Sequence, residues 1–396
     1  MKVVQINTVC DTGSTGKICV GISNVLNMNG IENYILYSYG KSDYPCGIKC
    51  SETMPKIQAL RSRLLGNYGF NSRKTTIRLI EELERISPEI VHLHNLHGHN
   101  CNLELLMEYI KKNKIKLIWT FHDCWAFTAY CPYFEIVRCE KWKEGCHHCV
   151  QARRYSWFID RSQWMYNQKK NIFSCLDMTI VTPSQWLANL VKDSFLKEYP
   201  IRVINNGIDL NNFKPSSSEL RQKYQISENK FILLGVAAQW VARKGADVFV
   251  RLSKRLDSEK MQIILVGTDD RIDQQLPEEV ISIHRTSNQK ELAEIYTMAD
   301  VFVNPTREEN YPTVNMEALA CGTPVITFNT GGSPEIIDEK TGIVVECDDE
   351  DALYAAIVSL SQNGYLHRED CLKRALMFDA NARFEEYVDL YRGIIK

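Results

Sequence analysis

Short apolar, β-branched runs alternate along this chain with stretches whose apolar residues recur at helical spacing. The runs are KVVQIN, NYILYS, EIVHLHN, KLIWTFHD, MTIVTPS and RVINNGI, then FILLGVA, QIILVG, VISIHR, VFVNPT, TPVITF and GIVVE. Apolar on both faces, such runs predict strands buried from both sides, and their alternation with helices predicts parallel sheets under helical cover. Twelve strands are many for one sheet of this kind. The series divides at NNGIDLNNFKPSSSEL, where Asn, Gly, Pro and Ser cluster. The pattern therefore predicts an α/β fold of two Rossmann-like halves facing a cleft, with ligands beyond the carboxyl ends of the strands.

Composition supports two cores: the chain has 396 residues, of which 44% are hydrophobic. Lys and Arg total 47 against 49 Asp and Glu, a net charge of -2, which excludes a global basic field for nucleic acid. The opening MKVVQINTV lacks the apolar core of a signal peptide, and no run of eighteen apolar residues occurs, so the chain reads as soluble and cytoplasmic. In that setting its 14 cysteines are expected to be mostly reduced, buried thiols.

The strand VFVNPT leads into REENYPTVNMEAL, which holds Glu309 and Glu317 eight positions apart. Pro312 suits a first helical turn, Thr313 to Ala320 reads as a helix, and CGTP ends it. The helix start between the two carboxylates offers unpaired N–H groups and the positive end of a dipole, which suit a phosphate. The carboxylates can accept hydrogen bonds from sugar hydroxyls. Together these features suit a nucleoside diphosphate sugar; a solvated acidic pair beside a helix start is the plainer alternative.

In the first half, CDTGSTGKI is not a P-loop, because that spacing needs Gly at 11 and Ser or Thr at 18, where the chain has Asp11 and Ile18. Gly13 and Gly16 either let the backbone approach a donor diphosphate or acceptor at a helix start, or are turn glycines. Histidines gather in VHLHNLHGHN and at His122. His92 and His94, at a strand end, are expected to bond nearby backbone rather than a metal.

These pieces, taken in order with EALACGTPVI, TGGSPEII, TFHD, VTPSQW, INNGID and RKG, resemble the retaining glycosyltransferases of family four, which share the two-domain GT-B fold. The resemblance covers nearly the whole chain and is nearest to transferases of bacterial exopolysaccharide and capsule assembly, the colanic acid type among them. It implies transfer of a sugar from a nucleoside diphosphate sugar to a saccharide acceptor, lipid-linked, with no catalytic metal and with the departing phosphate taking the acceptor's proton. Position by position, it implies that Glu309 meets donor-sugar hydroxyls and Glu317 the ribose. Backbone N–H groups from Asn310 and Tyr311 to Thr313 would meet the diphosphate, Lys244 the leaving phosphate, and His122 the donor sugar. The chain has Gln239 where the family carries an arginine, with Arg243 as a neighbouring positive charge, and Asn310-Tyr311-Pro312 where the family has Gly-Phe-Gly. The implied domains are 1–205 for the acceptor, with the last helix, 380–396, packing back on it, and 206–379 for the donor. A silent GT-B partner subunit is the alternative that Gln239 favours; a nucleotide-sugar epimerase or a phosphorylase is another.

Two segments remain. QARRYSWFIDRSQWMYNQKKN carries Arg153, Arg154, Arg161, Lys169 and Lys170 against Asp160 alone, with Trp157, Arg161 and Trp164 spaced as one helical face. The tryptophans are expected in a core, and the cations at the inner face of the cell membrane or on a lipid-linked phosphate. In CPYFEIVRCEKWKEGCHHC, Cys131, Cys139, Cys146 and Cys149 include one C-x-x-C pair, so the four could hold a structural zinc, with His147 or His148 replacing a ligand. An iron–sulfur cluster, ordinary thiols or a redox pair are the alternatives.

Overall fold

We describe the protein from a computed structural model that covers residues 1–51, 55–217 and 219–395; residues 52–54, 218 and 396, which fall within the expected domains, lie outside the described residues. The chain divides into two compact units, Met1–Asn205 with Asn381–Lys396, and Asn206–Ala380.

In the first unit the described strands are β1 (Lys2–Asn7), β2 (Glu32–Tyr37), β3 (Gly47–Lys49), β4 (Ile90–Leu93), β5 (Lys116–Thr120), β6 (Met178–Thr182) and β7 (Ile201–Val203). They form one parallel sheet in the order β3-β2-β1-β4-β5-β6-β7. The central strands β1 and β4 are buried almost throughout because helices cover both faces. β3 was not expected: GIK is only partly buried and carries no apolar run. The last helix, Ala380–Ile395, belongs to this unit and buries Phe384, Tyr387, Val388 and Tyr391.

In the second unit the described strands are β8 (Phe231–Val236), β9 (Met261–Val266), β10 (Ile281–Ile283), β11 (Val301–Asn304), β12 (Val325–Phe328) and β13 (Gly342–Val345). They also lie parallel, in the order β10-β9-β8-β11-β12-β13. The order reverses between β8 and β11, so the loops that follow these two strands diverge and open a crevice at their carboxyl ends. Apolar clusters fill both faces of the sheet, one around Phe302, Met316 and Ile336 and the other around Phe249, Leu265 and Phe328.

Candidate functional site

The loops after β8 and β11 meet at the crevice of the second unit. Gly245 has φ +77°, and a Cβ there would lie 2.4 Å from the Pro305 carbonyl oxygen, so only glycine lets the 242–244 turn press on the loop after β11. The contact is reciprocal: Arg307 N–H donates to the Arg243 carbonyl at 2.8 Å, and the Arg243 guanidinium donates to the Glu308 carbonyl at 2.8 Å. From the other side, Gly332 N–H donates to the Asn310 carbonyl at 2.7 Å. Gly331, at φ +57°, comes so close that a Cβ would fall 1.7 Å from the Glu309 carbonyl oxygen. Residues 305–311 are thus clamped between two backbone approaches.

Clamping brings two charges together. The Lys244 ammonium donates to the Glu309 carboxylate, and the Arg243 guanidinium lies 3.8 Å from the same oxygen. Glu309 is only 14% exposed at its side chain. Burial pushes its carboxyl up, but the Lys244 charge and hydrogen bond, with Arg243 and the Asn310 amide, outweigh it and hold the group below the ordinary range. A buried carboxylate this well paired stays ionised and offers its remaining lone pairs to hydroxyl donors.

The helix Thr313–Ala320 starts directly after this loop, with Pro312 as its cap residue. Of the backbone groups expected to meet a diphosphate, Asn310 N–H donates to Glu309 Oε1 at 3.2 Å and Pro312 has no N–H. The amides of Tyr311 and Thr313 therefore stand at the helix start. The Tyr311 side chain is buried in the core, so this residue can serve a ligand only through its backbone. Glu317, one turn on, accepts a hydrogen bond at 3.1 Å from the hydroxyl of Tyr296, a fully buried tyrosine that sequence reasoning missed. Burial, added to the Glu317 charge, keeps that phenol far above its ordinary pKa and so a donor.

In the first unit, Gly13 (φ +66°) has open space at its Cβ position, whereas a Cβ on Gly16 would lie 2.7 Å from the Cys10 carbonyl oxygen. The backbone of the glycine loop is fixed by these two glycines whether or not it meets a ligand. Beyond β4 and β5, the pocket there is lined by His94, His97, His122, Asp123 and Trp125. His97 Nε2 pairs with Asp123 at 2.7 Å, and His122 Nε2 lies 3.1 Å from His94 Nδ1. Burial depresses the His122 pKa to about 4 even though Asp123 is adjacent. The expectation for His92 and His94 needs correction: their ring partners are side chains rather than backbone. His92 meets Tyr391 (2.6 Å) and Thr120 (2.8 Å), and His94 meets Gln5 (3.0 Å).

With this geometry in hand, the relatives become informative. The family described as Glycosyltransferase Family 4 matches residues 22–212, and the one described as Glycosyl transferases group 1 matches 229–363, which between them span most of the chain. The chain is a family-four glycosyltransferase. A relative from Escherichia coli K12, named for colanic acid biosynthesis as glycosyl transferase WcaC, is 25% identical over all of both chains. Among solved structures, sucrose-phosphate synthase of Thermosynechococcus elongatus matches with a TM-score of 0.73 at 18% identity, covering 100% of this chain and 99% of that one. Anabaena Alr3699/HepE in complex with UDP-glucose matches with a TM-score of 0.70 at 13% identity, covering 99% of this chain and 100% of that one. These likenesses establish the GT-B fold, and the family makes the chain a nucleotide-sugar-dependent transferase.

Two surfaces of this glycosyltransferase differ from expectation. Trp157 and Trp164 are exposed, 42% and 39%, rather than core. They do not share a helix, because the chain runs irregularly between the helices Ala152–Tyr155 and Ser162–Ile172. Lys169 is fully buried, so it cannot meet a membrane: its ammonium donates to the carbonyls of Trp125 (2.7 Å), Thr128 (2.9 Å) and Ala129 (3.2 Å) beneath the Trp125 ring. Among the cysteines, Cys131, Cys146 and Cys149 pack on one apolar cluster and the thiols of Cys131 and Cys149 are hydrogen-bonded, while Cys139 packs with Cys146 against the main core. Among the described residues, the set of three ligating atoms gathered within 4.8 Å is not this one but the solvent-facing Asp270, Asp273 and His284.

Proposed function

We propose that this transferase retains anomeric configuration and moves a hexosyl group from a nucleoside diphosphate sugar to a lipid-linked saccharide in surface-polysaccharide assembly. The observation that carries the reading is the Lys244–Glu309 ion pair beside the start of the helix Thr313–Ala320. A fixed ammonium stabilises the diphosphate as it leaves, the amides at the helix start and Arg243 add to that field, and the carboxylate orients the sugar. Glu317 takes the ribose, His122 meets the donor sugar, and the loop at Gly13 and Gly16 approaches the donor diphosphate or the acceptor. The test is nucleoside diphosphate release across a panel of UDP- and GDP-sugars, with and without lipid-linked acceptor, and the anomer of the product. Release from no donor would favour the silent subunit, and an inverted product would overturn retention.

The partner surface we propose is an anionic bilayer. Among the described residues no helix is long and apolar enough to cross a membrane. The helix Pro55–Leu65 instead exposes Ile57, Leu60, Leu64 and Leu65, and Trp157 N–H donates to the Arg63 carbonyl at 2.8 Å, which joins the exposed Trp157, Phe158 and Ile159 to that helix. The Arg63 and Arg161 guanidinium groups lie over the Trp157 and Trp164 rings at 5.9 and 5.7 Å. Apolar side chains ringed by arginine suit the headgroup layer of such a bilayer.

We also propose structural zinc at Cys131, Cys139, Cys146 and Cys149. The thiol pair supports it: hydrogen bonding from Cys131 lowers the Cys149 pKa, which favours the thiolate that a metal needs, and its three neighbours must close around the ion. Elemental analysis of untagged protein should find about one zinc per chain, and none in the Cys146→Ser, Cys149→Ser double variant.

A further inference from the structure

We propose that Gln5 and His94 are positioning residues that fix the tautomer of His122, placing the ring proton on Nε2 and the lone pair on Nδ1. The inference rests on three hydrogen bonds in series. Gln5 Nε2 donates to the Cys19 carbonyl at 3.0 Å, which settles which end of this buried amide is which: turned over, it would set two acceptor oxygens against each other. Gln5 Oε1 therefore faces His94, 3.0 Å from its Nε2, and can only accept. His94 Nε2 must carry a proton.

His94 is fully enclosed, and burial beside His92 and His122 keeps its ring neutral. A neutral imidazole protonated on Nε2 has its lone pair on Nδ1. That atom lies 3.1 Å from His122 Nε2, which must then be the donor. Each ring's proton is set by the bond that its other nitrogen, or its neighbour, already makes. The series starts on β1, crosses to His94 just past the end of β4, which pairs with β1 in register (Gln5 opposite His92), and ends beyond β5. A glutamine at a sheet centre is costly unless its amide is satisfied; here both ends are.

For the reaction, the consequence is that His122 presents an acceptor at Nδ1 rather than a donor. A hydroxyl of the donor sugar would then give its hydrogen to His122, so the ring reads a hydroxyl and orients it without bearing charge. This last step rests on the proposed reading that His122 meets the donor sugar.

The test separates the two. In protein labelled with 15N-histidine, long-range proton–nitrogen correlation spectra distinguish protonated from unprotonated ring nitrogens, and the spectrum lacking one of the nine histidines in His122→Gln assigns the signal. The wild-type protein should show His122 protonated on Nε2; protonation on Nδ1 would overturn the proposal with no variant needed. Gln5→Glu, protonated at low pH so that its hydroxyl donates to the Cys19 carbonyl while its other oxygen still accepts from His94, should keep that signature. Gln5→Leu should give a mixture of His122 tautomers, with kcat lowered on the order of tenfold, as one lost hydrogen bond implies, and donor KM unchanged. An unmixed tautomer in folded Gln5→Leu would also overturn the series. Full turnover in His122→Gln would instead remove the sugar-facing reading and leave the tautomer assignment standing.

Discussion

Lys244 donates a hydrogen bond to Glu309, a residue 65 positions further along the chain, and the two charges neutralise each other inside a crevice. A donor that brings a diphosphate to Lys244 must share this ammonium. Lys244→Ala leaves the Glu309 carboxylate buried without its main partner, whereas Glu309→Gln leaves the ammonium available to phosphate. We therefore expect Lys244→Ala to lower kcat by about 10²-fold or more, as loss of one transition-state donor does. Glu309→Gln should keep nucleoside diphosphate affinity while losing turnover. Parallel titration calorimetry and product assays check both; a Lys244→Ala enzyme with wild-type kcat would remove the pair from the chemistry.

The same pair makes stability depend on pH. Glu309 has a folded-state pKa below its unfolded value, so its contribution is complete above the unfolded pKa, about 4.3, and is lost as pH falls through the lower folded value. Denaturant midpoints of wild type and Glu309→Gln should converge as pH drops from about 5 to about 3 by this linkage. Midpoints that keep a constant separation would contradict it.

Gly331→Ala should be among the most damaging single-methyl changes in the second unit, because its Cβ would meet the Glu309 carbonyl oxygen at 1.7 Å. Relief requires the 305–311 loop to move, and a cost of about 2–4 kcal/mol is expected for strain of this kind. Gly13→Ala provides the comparison: its φ is also positive but its Cβ position is open, so about 1–2 kcal/mol should be lost. Equal loss in thermal or urea unfolding would mean that backbone conformation, not the close approach, dominates.

Tyr296→Phe removes the hydroxyl that donates to Glu317 while leaving the ring and its Thr323-bound carbonyl in place. Hydrogen bonds to a charged group are worth about 1.5–3 kcal/mol, so nucleoside diphosphate affinity should fall roughly tenfold or more if Tyr296 holds Glu317 in its binding position. Calorimetric affinity unchanged in a normally folded variant would detach Tyr296 from the site.

The exposed aromatics should govern bilayer binding and nothing else. Phe158→Asp with Trp157→Ala should reduce co-sedimentation with vesicles containing anionic lipid by at least about tenfold, the value of burying one such side chain, while turnover on a water-soluble acceptor stays as in wild type. Undiminished sedimentation would place the membrane contact elsewhere.

The buried parallel strands were legible because apolar runs leave few other options, and the start of the helix Thr313–Ala320 was legible from Pro312. What escaped has a physical reason in each case. Trp157 and Trp164 have helical spacing, but spacing has meaning only within one helix, and the chain leaves helical geometry after Tyr155. Lys169 carries the charge that usually marks a surface; it is buried because three carbonyls contributed by the 125–129 turn replace water around it. The Lys244–Glu309 pair and the Gln5–His94–His122 series join residues on, or just beyond, separate strands, so the order and register of the strands, which composition does not encode, decide them.

The helix Ala380–Ile395 closes polar groups left behind much earlier: Tyr391 bonds His92 and Tyr387 bonds Thr120, across 299 and 267 positions. On the ribosome, Asn206–Ala380 is made entirely between these partners. The second unit can therefore be complete in sequence while the first still has His92 and Thr120 bonded to each other but each short of its tyrosine partner. A chain cut before this helix would hold the whole of the second unit but a first unit whose central His92 and Thr120 lack their tyrosine partners, so the first-made unit is the last to be completed.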